Sequence, residues 1–229
     1  MTTSLPTIRL YLPVFLGILL LGFTAAGCQG RSDRSPAPAE QSSPETVGRP
    51  TTPPGQGFSP FVIYSNKGSR DNHFVPSGFM PNGRCLEFND AWREACYEGH
   101  TCMRIFYDVE CSSADQKWAG IYWLNPADNW GSRRGGFNLT GAGKLTFWAR
   151  GEVGGERIEE FKIGGITGNY PDTDTAVIGP VILSNEWRQY TIDLRGKDLS
   201  YISGGFSWAT NVDVNHKNCI FYLDQIQYE

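Results

Sequence analysis

Short runs of alternating apolar and polar residues recur along residues 58–229, separated by Gly, Asn, Asp and Pro. In the run 144–150, for example, Leu145, Phe147 and Ala149 share one side and alternate with more polar neighbours. A period of two is the pattern of a β-strand with one buried face. We predict eight strands, over residues 61–64, 102–107, 118–124, 144–150, 157–163, 187–194, 205–208 and 220–228.

No stretch of ten residues in this region shows a convincing helical period, and the connections lack the rhythm of alternating strands and helices. The 27 Gly residues of the chain agree with many turns between short strands. The sequence therefore predicts an all-β fold, an antiparallel two-sheet β-sandwich of the jelly-roll type.

Residues 1–27 form a separate segment. Arg9 precedes an apolar run over 10–23, which has the length of a signal-peptide core and is shorter than the ~20 residues of a spanning helix. The run ends in Thr-Ala-Ala-Gly before Cys28, which resembles the lipobox of a bacterial lipoprotein. The resemblance implies diacylation of Cys28 and a membrane anchor, although Ala25 stands where that motif prefers Leu. An ordinary cleaved signal is the alternative.

Residues 28–57 are rich in Pro, Ser and Thr and contain no aromatic residue. Such a composition cannot bury enough apolar surface to offset the entropy lost on ordering. We interpret them as the lipidated Cys28 followed by a solvated tether, and residues 58–229 as one folded domain. Gln29 rather than Asp after the lipidated cysteine is typical of delivery to the outer membrane, so the domain is expected outside the cytoplasm.

The net charge and the lack of catalytic motifs argue against several function classes. The formal net charge of −4 gives no electrostatic reason to expect nucleic-acid binding. His73, His100 and His216 are scattered in predicted loops, and no G-x-S-x-G string occurs. An acidic cluster over residues 152–160 is more simply a solvated strand edge than a pair of glycosidase carboxylates. We therefore predict a protein that is not an enzyme.

Five cysteines follow Cys28, and this odd number leaves at least one of them unpaired or paired between chains. We predict a disulfide between Cys96 and Cys102, because Gly99 permits the short turn between them. The pairing of Cys85, Cys111 and Cys219 stays open. A structural zinc site is disfavoured, since the cysteines and histidines lack the spacing of a known finger.

Five strings in the folded region carry a family resemblance. They cover residues 118–131, 136–151, 186–199, 204–208 and 221–226. Together they resemble the galactose-binding-like β-jelly rolls, which include carbohydrate-binding modules of secreted bacterial glycoside hydrolases. The resemblance implies a non-catalytic face that binds glycan. It also implies a structural calcium ion, with Asp224 of the last strand as a ligand and Asp71, Asn72 or Asp90 as further oxygen donors.

A sugar-binding face needs exposed aromatic planes with polar groups around them. The segment 122–134 concentrates these types, and a second source follows the Gly204-Gly205 pair. The alternative is that most of these tryptophans belong to the core, as expected for large apolar rings. The candidate carbohydrate contacts are Tyr122, Trp123, Asn129, Trp130, Trp208 and Asn211.

Two function classes remain open. The first is a surface-anchored module that binds polysaccharide and holds it near the cell or near secreted glycoside hydrolases. The second is a structural or protein-interaction jelly roll of the envelope, with buried aromatics and envelope proteins as partners. The unpaired cysteine and the acidic cluster would suit the second class.

Overall fold

The computed structural model describes residues 57–81, 83–111 and 116–229. The predicted signal segment, Cys28 and nearly all of the predicted tether lie outside the described residues, so these three predictions remain untested. Within the described ranges there is no helix that could span a membrane. The regular structure in them consists of antiparallel strands, as the alternating pattern predicts.

The first sheet contains both the first and the last strand of the domain. Its strands lie in the order β11-β6-β13-β4-β3, and β1 also pairs with β13. Their bounds are β1 (Phe61–Tyr64), β3 (Leu86–Trp92), β4 (Cys102–Tyr107), β6 (Lys144–Gly151), β11 (Arg188–Asp193) and β13 (Cys219–Tyr228).

The second sheet has the strand order β2-β5-β12-β8-β9, and two further short strands, β7 and β10, pair with each other. The bounds are β2 (Val75–Met80), β5 (Trp118–Leu124), β7 (Arg157–Ile158), β8 (Glu160–Gly164), β9 (Thr175–Ile178), β10 (Val181–Ile182) and β12 (Gly204–Asn211). Two antiparallel sheets around one core confirm the predicted β-sandwich.

The core lies between the sheets and is filled by the inward half of each alternating pattern. Leu145, Phe147 and Ala149 of β6 are fully buried, as predicted. The ring of Phe147 lies 4.6 Å from that of Phe161 and 5.2 Å from that of Phe206, both on the second sheet. These contacts join the two sheets directly.

Several strands differ from the sequence prediction. The predicted strand 157–163 is interrupted at Glu159, and β2, β3, β9 and β10 were not predicted. The β2 strand contains Pro76 and Gly78, which have low strand propensity, and its neighbour β5 supplies the pairing that keeps it extended. Tertiary pairing therefore outweighs local propensity in this strand.

The described cysteines form two disulfides. Cys96 bonds to Cys102, as predicted, and Cys85 bonds to Cys111. Such bonds are typical of a domain outside the cytoplasm. Cys219 is free and buried, and burial raises the pKa of its thiol to about 12. A buried thiol cannot reach a second chain, so Cys219 does not serve as an intermolecular cysteine.

Candidate functional site

Two of the predicted sugar contacts are core residues. Trp123 and Trp208 are both 0% exposed. The Trp208 ring packs edge-on against Phe221 at 4.8 Å, and the Trp123 ring packs against Phe206 at 5.4 Å. Neither ring has a surface on which a sugar could stack, so the prediction of these two residues as contacts is wrong. They lie on the inward side of β12 and β5.

The outward side of β5 faces away from the core. Because side chains alternate along a strand, Trp118, Gly120 and Tyr122 lie on the same side. Tyr122 packs with Leu124 and Ile166 in a small apolar cluster that is separate from the main core. We call this outer surface of the second sheet the Trp130 face, after the side chain that covers the cluster.

Trp130 is 45% exposed although it is firmly supported. Its ring meets Tyr122 edge-on, with the centroids 5.7 Å apart and the planes at 80°. Gly78 lies beneath it, where an added Cβ would come within 2.8 Å of Trp130 Cζ2. A supported indole with free surface is the feature expected of a sugar-stacking platform.

The loop 125–136 fixes the position of Trp130. Asn129 next to it is fully buried, and its Nδ2 donates to the carbonyl of Arg133 at 3.0 Å. Its Oδ1 accepts from the Arg133 amide at 3.3 Å, and the Asp128 amide donates to Ser77 Oγ at 2.9 Å. Asn129 therefore organises the loop and is not itself a surface contact, which corrects the prediction for this residue.

Trp118 is a second exposed aromatic on the Trp130 face and was missed in the sequence. It is 42% exposed and pairs across the strands with Asn211 of β12. The alternation of side chains along β5 could have identified Trp118 as a candidate, since it falls on the same side of the strand as Tyr122. Asn211 is half-buried, and its Oδ1 accepts from the amides of Asp213 and Val214, so that side chain also closes a turn.

The floor of the Trp130 face lies between Trp118 and Tyr122. Trp118 and Tyr122 are four residues apart, which corresponds to about 13 Å along a strand. Gly120 lies between them, and an added Cβ there would come within 2.5 Å of the Trp208 carbonyl oxygen. Lys162 borders the floor, with Nζ 5.8 Å from the Tyr122 ring centroid. Met80 of β2 pairs with Gly120 and packs over this part of the face.

Tyr122 is itself buried, so it supports Trp130 and is not a surface contact, which corrects the prediction for this residue. The face thus offers two exposed indoles, Trp118 and Trp130, and a cation.

The outer surface of the first sheet is arranged differently. A segment that we call the strap, residues 93–101, crosses it. Tyr97 of the strap stacks on Trp148 with 3.6 Å between centroids and 15° between planes. Trp187 Nε1 donates to the carbonyl of Ala95 at 2.9 Å. The aromatic rings of this surface are therefore engaged with the protein itself.

Asp224, the predicted calcium ligand, anchors the strap. It is fully buried, and its Oδ2 accepts from the amides of Tyr97 and Glu98, both at 3.1 Å, while Oδ1 accepts from the Gln225 amide at 2.9 Å. Burial raises the pKa of this carboxyl to about 6, against the lowering effect of these amides. Three donors therefore point at the oxygens that a cation would need.

Two of the other predicted calcium ligands bond to other groups of the protein, and the third is exposed. Asn72 Oδ1 accepts from the Ser65 amide at 3.1 Å, and Asp90 pairs with Lys67. Asp71 is exposed in the connection between β1 and β2. No group of three or more acidic, His or Cys side chains that could hold a metal occurs in the described ranges. These residues do not fit the calcium ion that the resemblance implies.

Solved structures with the same fold support the architecture. The chain is similar to the family 11 carbohydrate-binding module of a cellulosomal cellulase of Clostridium thermocellum, at 14% identity and a TM-score of 0.50, covering 76% of this chain and 95% of that one. It is also similar to a family 30 carbohydrate-binding module, at 18% identity and a TM-score of 0.50, covering 75% and 98%. No protein-family model and no curated protein matches the sequence. At this identity the likeness establishes the jelly-roll fold.

Proposed function

We propose that the protein is a non-catalytic module that binds polysaccharide through the Trp130 face. The observation that carries the proposal is the Trp130 indole, which is 45% exposed and yet held edge-on against Tyr122 over Gly78. Exposing a large apolar ring costs free energy, and a ligand that covers the ring recovers it. The C–H face of a pyranose is such a ligand.

A neutral glycan fits the remaining chemistry of the face. Trp118, about 13 Å from Tyr122 along β5, offers a second ring to the same glycan chain. Lys162, level with Tyr122 across the sheet, can donate to sugar hydroxyls or ring oxygens at that end of the face. A face with an exposed indole near each end suits a position within a polysaccharide chain.

Two features would suit the structural alternative, namely the unpaired cysteine and the acidic cluster, and both are explained by their surroundings within the domain. Cys219 is buried, at 1% exposure. Three of the four acidic side chains of residues 152–160 are engaged within the domain: Glu152 accepts from the Tyr222 hydroxyl, Glu156 accepts from the Val153 amide, and Glu159 pairs with Arg157. These observations favour glycan binding over the structural alternative.

Affinity electrophoresis of the full chain in mild detergent against β-glucans, xylan and mannan tests the proposal. We expect retardation by at least one neutral polysaccharide, and its loss in Trp130→Ala without a large change in melting midpoint. Trp118→Ala should weaken the same interaction. The control is Ile182→Ala, an exposed apolar residue on the separate β7–β10 pair, which should bind as the parent does. Migration unaffected by every neutral polysaccharide would refute the proposal.

We further propose that Cys28 carries the lipid that holds the module on the bacterial surface, most simply at the outer membrane. The support is the sequence around Cys28 and the presence of disulfides in the folded domain. Expression of the parent and of Cys28→Ser, followed by membrane fractionation, tests this. The parent should sediment with membranes and the variant should not; equal sedimentation of both would refute the lipid anchor.

A further inference from the structure

A row of three side chains crosses the outer surface of the first sheet. Tyr222 of β13 pairs directly with Arg104 of β4 on one side and with Arg150 of β6 on the other. Directly opposed residues point to the same face of a sheet. The two guanidinium groups therefore flank one phenol on neighbouring strands.

Aromatic rings hold both guanidinium groups in place. Arg150 Cζ lies 3.9 Å from the Tyr222 ring centroid and 5.6 Å from that of Trp187. Arg104 Cζ lies 5.3 Å from the ring centroid of Trp92. Stacking of this kind restricts the rotation of an arginine while leaving its N–H edges free to donate. Arg150 Nη1 already donates to the Gly151 carbonyl at 3.3 Å, so the other N–H groups of the row form the ordered set of donors.

The row lines an open depression of about 310 Å³, whose other walls are Trp92, Glu94, Ala95 and Glu152. The strap forms one rim through Glu94 and Ala95. The strap is itself fixed, because the disulfide of Cys96 closes it and Asp224 binds its amides. The shape of the depression is therefore built into the fold.

The charges in the depression indicate the kind of ligand. Arg157 and Arg195 form ion pairs with Glu159 and Asp193, whereas neither Arg104 nor Arg150 pairs with a carboxylate within the described ranges. Glu94 and Glu152 line the same depression, so two positive and two negative groups balance. Selectivity for an anion must then come from the geometry of the ordered guanidinium groups, each of which can bind a carboxylate through two parallel hydrogen bonds. The two glutamates are acceptors suited to sugar hydroxyls, although one oxygen of Glu152 already accepts from the Tyr222 hydroxyl at 2.7 Å and only its other oxygen is offered to a ligand.

We propose that this depression is a second glycan-binding site, and that it takes a sugar unit bearing a carboxylate, as in a uronic acid polysaccharide. The carboxylate binds the guanidinium groups of Arg104 and Arg150, and the ring hydroxyls donate to Glu94 and Glu152. The site lies on the opposite sheet from the Trp130 face. The protein can therefore hold a neutral and an acidic polysaccharide at the same time.

Affinity electrophoresis of the full chain at pH 8 and 150 mM NaCl separates this proposal from general charge effects. The probes are polygalacturonate, alginate and glucuronoxylan, with methyl-esterified polygalacturonate as the uncharged match. The net charge of −4 repels acidic polysaccharides as a whole, so retardation requires a local site. We expect retardation by at least one acidic probe and at least tenfold weaker binding after removal of its charge.

Variants locate the site. Arg104→Gln should weaken acidic binding at least tenfold, and Arg104→Lys should also weaken it, since lysine keeps the charge but lacks the bidentate fork. Arg195→Gln is the control because it removes the same charge from an exposed pair with Asp193. Trp130→Ala should leave acidic binding intact, which distinguishes failure of this proposal from failure of the neutral site. Melting midpoints confirm that each variant is folded.

Three results would overturn the proposal. The first is no retardation by any of the acidic probes. The second is equal retardation by polygalacturonate and its methyl ester. The third is a loss in Arg195→Gln as large as that in Arg104→Gln.

Discussion

The two outer surfaces of the sandwich are both rich in aromatic side chains, yet they use those rings in opposite ways. On the first sheet, Tyr97 covers Trp148, and Arg150 covers Tyr222. On the second sheet, Tyr122 supports Trp130 at its edge and leaves nearly half of the indole in solvent. The number of rings on a surface therefore says little about binding. What decides whether a ring can stack on a sugar is whether the protein already occupies the face of that ring.

The difference has a physical origin in the connections between strands. The strap runs from β3 to β4 across the first sheet and satisfies its backbone amides on Asp224, 126 and 127 residues away. The loop 125–136 instead folds upon itself around Asn129 and holds its tryptophan outward. One connection covers its sheet, and the other displays a ring. The comparison can be tested by disturbing the shared core, then the strap and its anchor.

The largest effect is expected from the core that supports both surfaces. Phe147→Ala removes a fully buried ring that contacts Phe161 and Phe206 across the sandwich. We expect the free energy of unfolding to fall by about 3–5 kcal/mol in urea denaturation. Trp130→Ala is the matched control, and its loss should stay below about 1 kcal/mol, because the indole is half exposed. Equal losses would mean that Trp130 is a structural residue.

A smaller effect should follow from opening the strap. Replacing Cys96 and Cys102 together by Ala should lower the free energy of unfolding by about 2 kcal/mol, the entropy of the short loop that the disulfide closes. Amide hydrogen exchange at Tyr97 and Glu98 should become faster. The double variant of Cys85 and Cys111 is the control, since it removes the other disulfide and leaves these amides protected. Unchanged exchange in the first variant would show that Asp224 holds the strap alone.

The strap anchor should also give the stability a pH dependence. Burial raises the pKa of Asp224 to about 6, from 3.8 when exposed. The folded state then binds the proton more tightly than the unfolded state, so this group adds stability as pH falls through about 6. The melting midpoint of the parent, relative to that of Asp224→Asn, should therefore be higher at pH 5 than at pH 7.5. A difference that does not change with pH would contradict this assignment.

Much of the fold was accessible from the sequence because the core strands alternate clearly. The predicted bounds of β4 and β5 agree with the structure, and the Cys96–Cys102 disulfide is confirmed. Of the edge strands, β11 was predicted but β2, β3 and β9 were not; β2, for example, is held by pairing with β5 rather than by its own propensity. The local sequence pattern thus predicts strands whose own residues favour an extended backbone. It misses strands that are extended only because a neighbouring strand pairs with them.

The candidate site could be predicted from the sequence only in part, because a local pattern does not specify which side of a strand faces the core. Both sides of β5 are apolar, with Trp118 and Tyr122 on one and Ile121 and Trp123 on the other. Alternation predicts which residues share a side, but it cannot say which side meets the core when both are apolar. Trp130 lies outside the strands, in the loop 125–136, where alternation does not apply. The strap needed contacts over more than a hundred residues, which no local pattern encodes.

The smallest effect is expected from removing divalent cations, and it bears on how the strap is held. In the resemblance, calcium would occupy the neighbourhood of Asp224, but here the amides of Tyr97, Glu98 and Gln225 point at that carboxylate. Backbone donors and a cation would compete for the same oxygens, so we expect the strap amides to hold Asp224 without an ion. We expect EDTA to leave the melting midpoint unchanged, because a ligand that is not bound adds no linkage free energy. A lowered midpoint, restored by calcium, would show that an ion and not the strap amides neutralises Asp224.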